Sequence, residues 1–323
     1  MSSEIPQISL PQHLLPSDGR FGSGPSKVRQ DAVSALAAVA PHYLGTSHRQ
    51  ASVRSVVGHV RRGLAELFSL PGDYEVVLGN GGSTVFWDAA IFGIIEQRSR
   101  HLSFGEFSSK FAAGVTRAPH LDQPDIVESP PGTCPEPPNG EGVDTLALTH
   151  NETSTGVAAP VERPDAFEGI VLVDGTSAAG GLRVDPSAFD VYYFAPQKCF
   201  GADGGLWLAL CSPAAVERIG RVADSKRWTP ASLDLSIALE QSRADQTYNT
   251  PALTTLFLLA EQIDWINDRG GLEWAATRCD FSAALLYGWA TKSPFAEPFV
   301  ATTSHRSQVT ATIDLDASVD APT

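Results

Sequence analysis

Lys198 closes the segment Tyr192-Tyr193-Phe194-Ala195-Pro196-Gln197-Lys198, a short apolar strand pattern that Pro196 terminates. A second strand pattern, Leu206-Trp207-Leu208-Ala209-Leu210, follows Gly201, Gly204 and Gly205. A lysine held between two apolar strands is partly desolvated, which lowers its pKa and frees the amine for Schiff-base chemistry. One lysine alone implies little, because lysines in polar turns are common. Upstream, however, the buried-strand pattern Ile170-Val171-Leu172-Val173 ends in Asp174-Gly175-Thr176-Ser177. A strand-terminal aspartate and a strand-terminal lysine offer one partner for a pyridinium nitrogen and one for an aldehyde. Pyridoxal phosphate (PLP) needs that pair. The competing role for Asp174 is an ordinary helix N-cap, which Ser177 could also fill.

The elements that must position these groups follow from the pattern around them. Tyr74 to Leu78 predicts a strand, and it runs into Gly79-Asn80-Gly81-Gly82-Ser83-Thr84 and then a buried helix over Val85 to Ile95. Strand, glycine loop and helix start form an anion cradle: glycines permit close backbone approach, and the helix offers free N–H groups. His101 to Phe104 and Thr145 to Thr149 predict further strands, each ending in a polar loop. Strands alternating with helices imply a mostly parallel sheet covered on both faces, with ligands at the carboxyl ends of the strands.

Elsewhere the chain predicts a helix that begins with Pro25 and is over by Pro41, and a second with the stripe Val53, Val56, Val57, Val60, Leu64 and Leu67. Pro119 to Gly142 reads as an exposed connection. A helix bearing Leu256, Leu259, Ile263 and Ile266 stops at Gly270-Gly271, another carries Trp274, Phe281, Leu285 and Trp289, and Ser307 to Leu315 predicts a strand. The organisation expected is an arm over 1–20, a large domain over 21–265, and the start of a smaller domain over 266–323.

A net charge of −14 over 323 residues argues against nucleic acid or an anionic membrane as the main partner. It leaves room for a local cationic pocket. No apolar run is long enough to span a bilayer, and the acidic, polar start Met1-Ser2-Ser3-Glu4 has no signal-peptide character. Cys134, Cys199, Cys211 and Cys279 lack metal-binding spacing, so no metal is expected and the reducing cytoplasm is the expected location.

Taken as a set and in order, Gly22-Ser23-Gly24-Pro25, Thr46-Ser47-His48-Arg49, Gly81-Gly82-Ser83-Thr84, Asn151-Glu152-Thr153, Ala195-Pro196-Gln197-Lys198 and Tyr248-Asn249-Thr250-Pro251 resemble the phosphoserine aminotransferases. These are class V PLP-dependent aminotransferases of fold type I, with a mostly parallel sheet sandwiched by helices and a smaller α/β domain. The resemblance runs from about Arg20 to the last residue.

The resemblance implies that Lys198 binds the cofactor aldehyde and then shuttles a proton between Cα and C4′, while Asp174 pairs with the pyridinium nitrogen. Ser83, Thr84 and Gln197 would hold the cofactor phosphate, joined by Asn249 and Thr250 from a second subunit of a homodimer with shared sites. Thr153 would lie at the phenolic oxygen. Phe107 would stack on the ring where many members carry Trp, keeping the apolar face without the indole N–H. His48 and Arg49 would bind the anionic substrates, L-glutamate and 3-phosphohydroxypyruvate. A related activity in pyridoxine biosynthesis is implied as well. The glycine-loop arginine usual in the family is absent, Ser83-Thr84 standing there, and the family's C-terminal cationic residues are expected beyond Thr323. Three alternatives stay open: another class V aminotransferase, a cysteine desulfurase-like lyase, or a catalytically weak PLP-binding homologue.

Overall fold

A computed structural model describes residues 11–15, 22–136 and 140–319. Its centre is a seven-stranded sheet of β1 (Glu75–Asn80), β2 (Ser99–Ser103), β3 (Asp125–Glu128), β4 (Thr145–Thr149), β7 (Ile170–Asp174), β8 (Val191–Phe194) and β9 (Leu206–Cys211), in the order β1-β9-β8-β7-β4-β2-β3. Only β9 runs against the others. Two short ladders lie outside it: β5 (Asn151–Glu152) with β6 (Val157–Ala158), and β10 (Ala296–Pro298) with β11 (Ile313–Leu315).

Burial on both faces explains why the strands are near-continuous apolar runs. Along β8, Tyr192 and Phe194 join one core while Val191 and Tyr193 join the other. The first core is closed by α2 (Ala51–Leu67) and α7 (Leu253–Asn267), whose stripes Val53, Val57, Val60, Leu64 and Leu256, Leu259, Ile263 face it. The second is closed by α3 (Ser83–Gly93), α4 (Glu106–Thr116), α5 (Pro213–Asp224) and α6 (Leu235–Arg243). α1 (Gln30–Tyr43) packs on α7, and α8 (Gly271–Lys292) carries the β10–β11 ladder.

Three sequence expectations are corrected. Pro25 precedes α1 instead of starting it, and the helix continues through Pro41 to Tyr43. Tertiary anchoring holds that last turn: Tyr43 is buried, donates to the Leu253 carbonyl at 3.2 Å and packs on Phe257. The connection from Pro119 to Gly142 contains the edge strand β3, paired in parallel with β2 and tied by an Arg100–Asp125 ion pair at 2.6 Å. Its half-exposed edge position gives it little of the apolar signal of the inner strands. Between Ser307 and Leu315 only Ile313–Leu315 is strand. The earlier residues turn instead around the Ser307 hydroxyl, which accepts from the N–H groups of Val309 and Thr310.

Candidate active site

The carboxyl ends of β1, β4, β7 and β8 converge on a cavity of about 280 Å³. Gly82, Ser83 and Thr84 enter it from the loop after β1 and the start of α3, Asn151 and Thr153 from β5 and the turn after it, Asp174 and Thr176 from the end of β7 and the turn after it, and Gln197 and Lys198 from the loop after β8. Trp87 and Phe107 close its walls.

Lys198 is half-buried, and its Nζ donates to the Ser23 carbonyl at 3.0 Å. Burial lowers its pKa. The close approach of the N-terminal segment depends on Gly24, which sits at φ +115°; a Cβ there would lie 2.7 Å from Lys198 Cδ.

Asp174 does not cap a helix, since turns follow it. Its carboxylate is buried and fully engaged instead. Oδ1 accepts from the Thr176 N–H at 2.8 Å and from the Thr176 hydroxyl. Oδ2 accepts from Trp87 Nε1 at 3.2 Å and from Tyr193 Oη at 3.0 Å. Burial raises its pKa, and these donors oppose the rise. A buried carboxylate held in this way is a site for a cationic partner.

The anion cradle lies across the cavity. Gly82 at the N-cap of α3 provides no side-chain oxygen to the helix start, so the positive end of α3 is left for a ligand. Ser83 is buried with its hydroxyl 2.7 Å from that of Thr176, which links the cradle to the Asp174 turn. Two buried wall atoms, Gln197 Oε1 and Asn151 Oδ1, have no hydrogen-bond partner within the protein. The free helix start, the half-buried lysine and the buried carboxylate fit PLP by charge, and the two unpartnered amide oxygens mark polar wall positions open to a ligand.

Thr153 donates to the Ser177 hydroxyl at 2.8 Å, as does Asn151 Nδ2 at 2.9 Å. Phe107, the second residue of α4, is 38% exposed on the cavity side. His48, Arg49, Asn249 and Thr250 do not line this cavity. They form a separate group: His48 Nδ1 lies 3.0 Å from the Thr250 hydroxyl, and the Thr250 carbonyl accepts from Asn80 Nδ2 at 2.8 Å. Arg49 reaches Gln246 at 3.4 Å. His48 is buried with Nε2 unpartnered, while Arg49, Asn249 and Thr250 are exposed.

Sequence reasoning missed Trp87, Tyr193 and Thr176 as site residues. Trp87 lies four residues after Ser83, on the same face of α3, and Tyr193 alternates with the core-facing Tyr192; both spacings were available. Nothing in the spacing said that their polar tips meet one carboxylate.

Known proteins resemble this chain in family and in fold. The class-V aminotransferase family model matches residues 140–319. The phosphoserine aminotransferase of Rhodococcus jostii is 57% identical over 313 residues, covering 97% of this chain and 84% of that protein. That of Nocardioides sp. is 56% identical over 317 residues, covering 97% and 85%. Among solved structures, a phosphoserine aminotransferase from Cytophaga hutchinsonii matches with a TM-score of 0.82 at 24% identity, covering 88% of this chain and 81% of that one. The pyridoxamine-pyruvate aminotransferase of Mesorhizobium loti matches at 0.80 with 18% identity, covering 97% and 80%. The two structures share the fold; the closer sequences decide within it. On that identity, sustained over most of both chains, the chain belongs to the phosphoserine aminotransferases, PLP-dependent enzymes of the class-V aminotransferase family.

Proposed function

We propose that this chain moves an amino group between L-glutamate and 3-phosphohydroxypyruvate, giving 2-oxoglutarate and O-phospho-L-serine, as a cytoplasmic homodimer. The observation that carries the reading is the convergence of Lys198, Asp174 and the Ser83–Thr84 helix start on one cavity of about 280 Å³. PLP, when bound, supplies the electron sink that makes the substrate Cα proton labile. Ser83, Thr84 and Gln197 would hold its phosphate, Asp174 its ring nitrogen and Thr153 its phenolic oxygen, and Phe107 would pack against its ring.

Lys198 is the base that takes the proton from Cα and returns it on the other side of the exchange. Its lowered pKa leaves more of the amine neutral near physiological pH. The carbonyl of Ser23 fixes where that amine waits.

His48 and Arg49 bind the anionic ends of both substrates. Their place beside Thr250 and outside the Lys198 cavity supports a shared site, in which His48, Arg49, Asn249 and Thr250 of one subunit face the cavity of its partner. In a chain of net charge −14, the Arg49 guanidinium is the local cation that would draw in a phosphorylated keto acid, with His48 a neutral hydrogen-bonding partner because burial and Arg49 lower its pKa. The same recognition extends to a phosphorylated substrate of pyridoxine biosynthesis. We divide the chain into a large domain over 21–265 and the start of a small one from 266, supported by the separate β10–β11 ladder.

The test is the visible absorbance of the PLP-loaded protein. L-glutamate should bleach the long-wavelength band, and 3-phosphohydroxypyruvate should restore it far faster than unphosphorylated hydroxypyruvate. Lys198→Ala should lack the band. Equal restoration by both keto acids would sink the proposed substrate while leaving the cofactor chemistry intact.

A further inference from the structure

Glu152 has no exposed surface, yet no cation balances it within the hydrogen bonds it makes. Its carboxylate is inserted at the start of α4. Oε2 accepts from the Ser108 N–H and the Ser108 hydroxyl, both at 2.9 Å. Oε1 accepts from the Ser154 hydroxyl at 2.7 Å, the Ser154 N–H at 3.3 Å and the Phe107 N–H at 3.4 Å. The Ser154 hydroxyl in turn accepts from the Glu106 N–H at 2.9 Å. Gly105 at the N-cap gives the helix no side-chain cap. The first-turn donors of α4 are therefore satisfied by a glutamate and a serine more than 40 residues further along the chain. The fit leaves no room at Gly105, where a Cβ would lie 2.3 Å from Glu152 Cγ.

The capped turn is the one that carries Phe107 into the cavity. The capping segment, β5 and the turn after it, is the one that carries Asn151 and Thr153 into it. An anion at a helix start is stabilised by the unpaired N–H groups and the helix dipole. Here that stabilisation clamps two walls of the cavity together.

We propose that Glu152 is a positioning residue for the cofactor: it acts as a borrowed N-cap that sets Phe107 against the ring. The inference rests on the reading of Phe107 as the ring-facing residue. Glu152 touches no reacting atom and moves no proton.

The test is a double-mutant cycle on the full chain, reading the dissociation constant of PLP by absorbance titration and the visible circular dichroism of the bound form. Glu152→Gln keeps the shape and removes the charge. It should weaken PLP binding by about tenfold, the size of one charge-assisted hydrogen bond, and alter the dichroic band. In the Phe107→Ala background the same change should do neither. Ser154→Ala, which leaves the buried carboxylate in place, should give a smaller loss with the same dependence on Phe107, and serves if Glu152→Gln does not fold. Equal losses in both backgrounds would overturn the proposal, because Glu152 would then act through something other than Phe107. If Phe107→Ala alone left PLP affinity and the band unchanged, the ring-facing reading would fail, and the proposal with it.

Discussion

Trp87 Nε1 donates to Asp174 Oδ2 at 3.2 Å, across the gap between the first helix after the glycine loop and the strand that ends in the aspartate. Tyr193 donates to the same oxygen at 3.0 Å. The side of the carboxylate away from Thr176 is thus oriented by two aromatic donors, each packed in the core beneath the cavity. Tyr193→Phe should leave the ring packing intact and remove one donor, and Trp87→Phe should remove the other while keeping a smaller aromatic ring against Phe111. We expect each to cost about 1.5–3 kcal/mol of stabilisation of the charged carboxylate. PLP affinity should fall about tenfold or more, with the fold unchanged by circular dichroism. Unchanged affinity in both variants would mean that Asp174 is oriented by Thr176 alone.

The same carboxylate predicts a pH dependence. Burial is the dominant cause of its shift, and the shift is upward from 3.8. Between the unfolded value and the raised folded value, the folded chain binds more protons than the unfolded one. Stability must therefore fall as pH rises through that window, and the penalty is complete above the folded pKa. Melting of the PLP-free protein against Asp174→Ala should reveal it: the difference between the two should move against the parent chain as pH rises from about 4 toward neutrality. A flat difference would show that the four donors cancel the cost of burial.

Shared sites can be tested by complementation. Lys198→Ala and Arg49→Ala chains should each be nearly inactive alone. Mixed, unfolded and refolded together, they form hybrid dimers in which one site has a native Lys198 and, from the partner, a native Arg49. About a quarter of parental activity should return, as random pairing predicts for a two-fold dimer. No recovery would place Arg49 in the same site as the lysine of its own chain, and full activity of Arg49→Ala alone would place it outside catalysis.

Much of this was legible in the residues. The strands β4, β7, β8 and β9 are largely apolar runs, because a sheet buried on both faces demands them, and the polar ends of β4, β7 and β8 marked the cavity. Lys198 and Asp174 could be found because each ends such a run. The edge strand β3 left no comparable trace, since half of it faces solvent. Pro41 suggested a helix end that the anchoring of Tyr43 overrides. Trp87 and Tyr193 looked like core aromatics, which they also are; only the fold brings their polar atoms to one carboxylate. The role of Glu152 was equally hidden, because a helix cap normally comes from the residue just before the helix and not from a distant strand.

The contact between Lys198 and the Ser23 carbonyl joins residues 175 apart in the chain. The segment that carries Ser23 is itself held by Arg29, which donates to Gln262 at 2.7 Å and to the carbonyl of Glu261. A chain emerging from the ribosome therefore completes all seven strands of its main sheet before the tie to α7 can form. The Ser26 N–H also donates to the Gln197 carbonyl at 2.7 Å, so the segment has one tie to the lysine's own loop and a second to α7. Long-range closure of this kind is slow and comes late in folding. The order of synthesis thus leaves the seat of Lys198 tied at one point only until α7 exists.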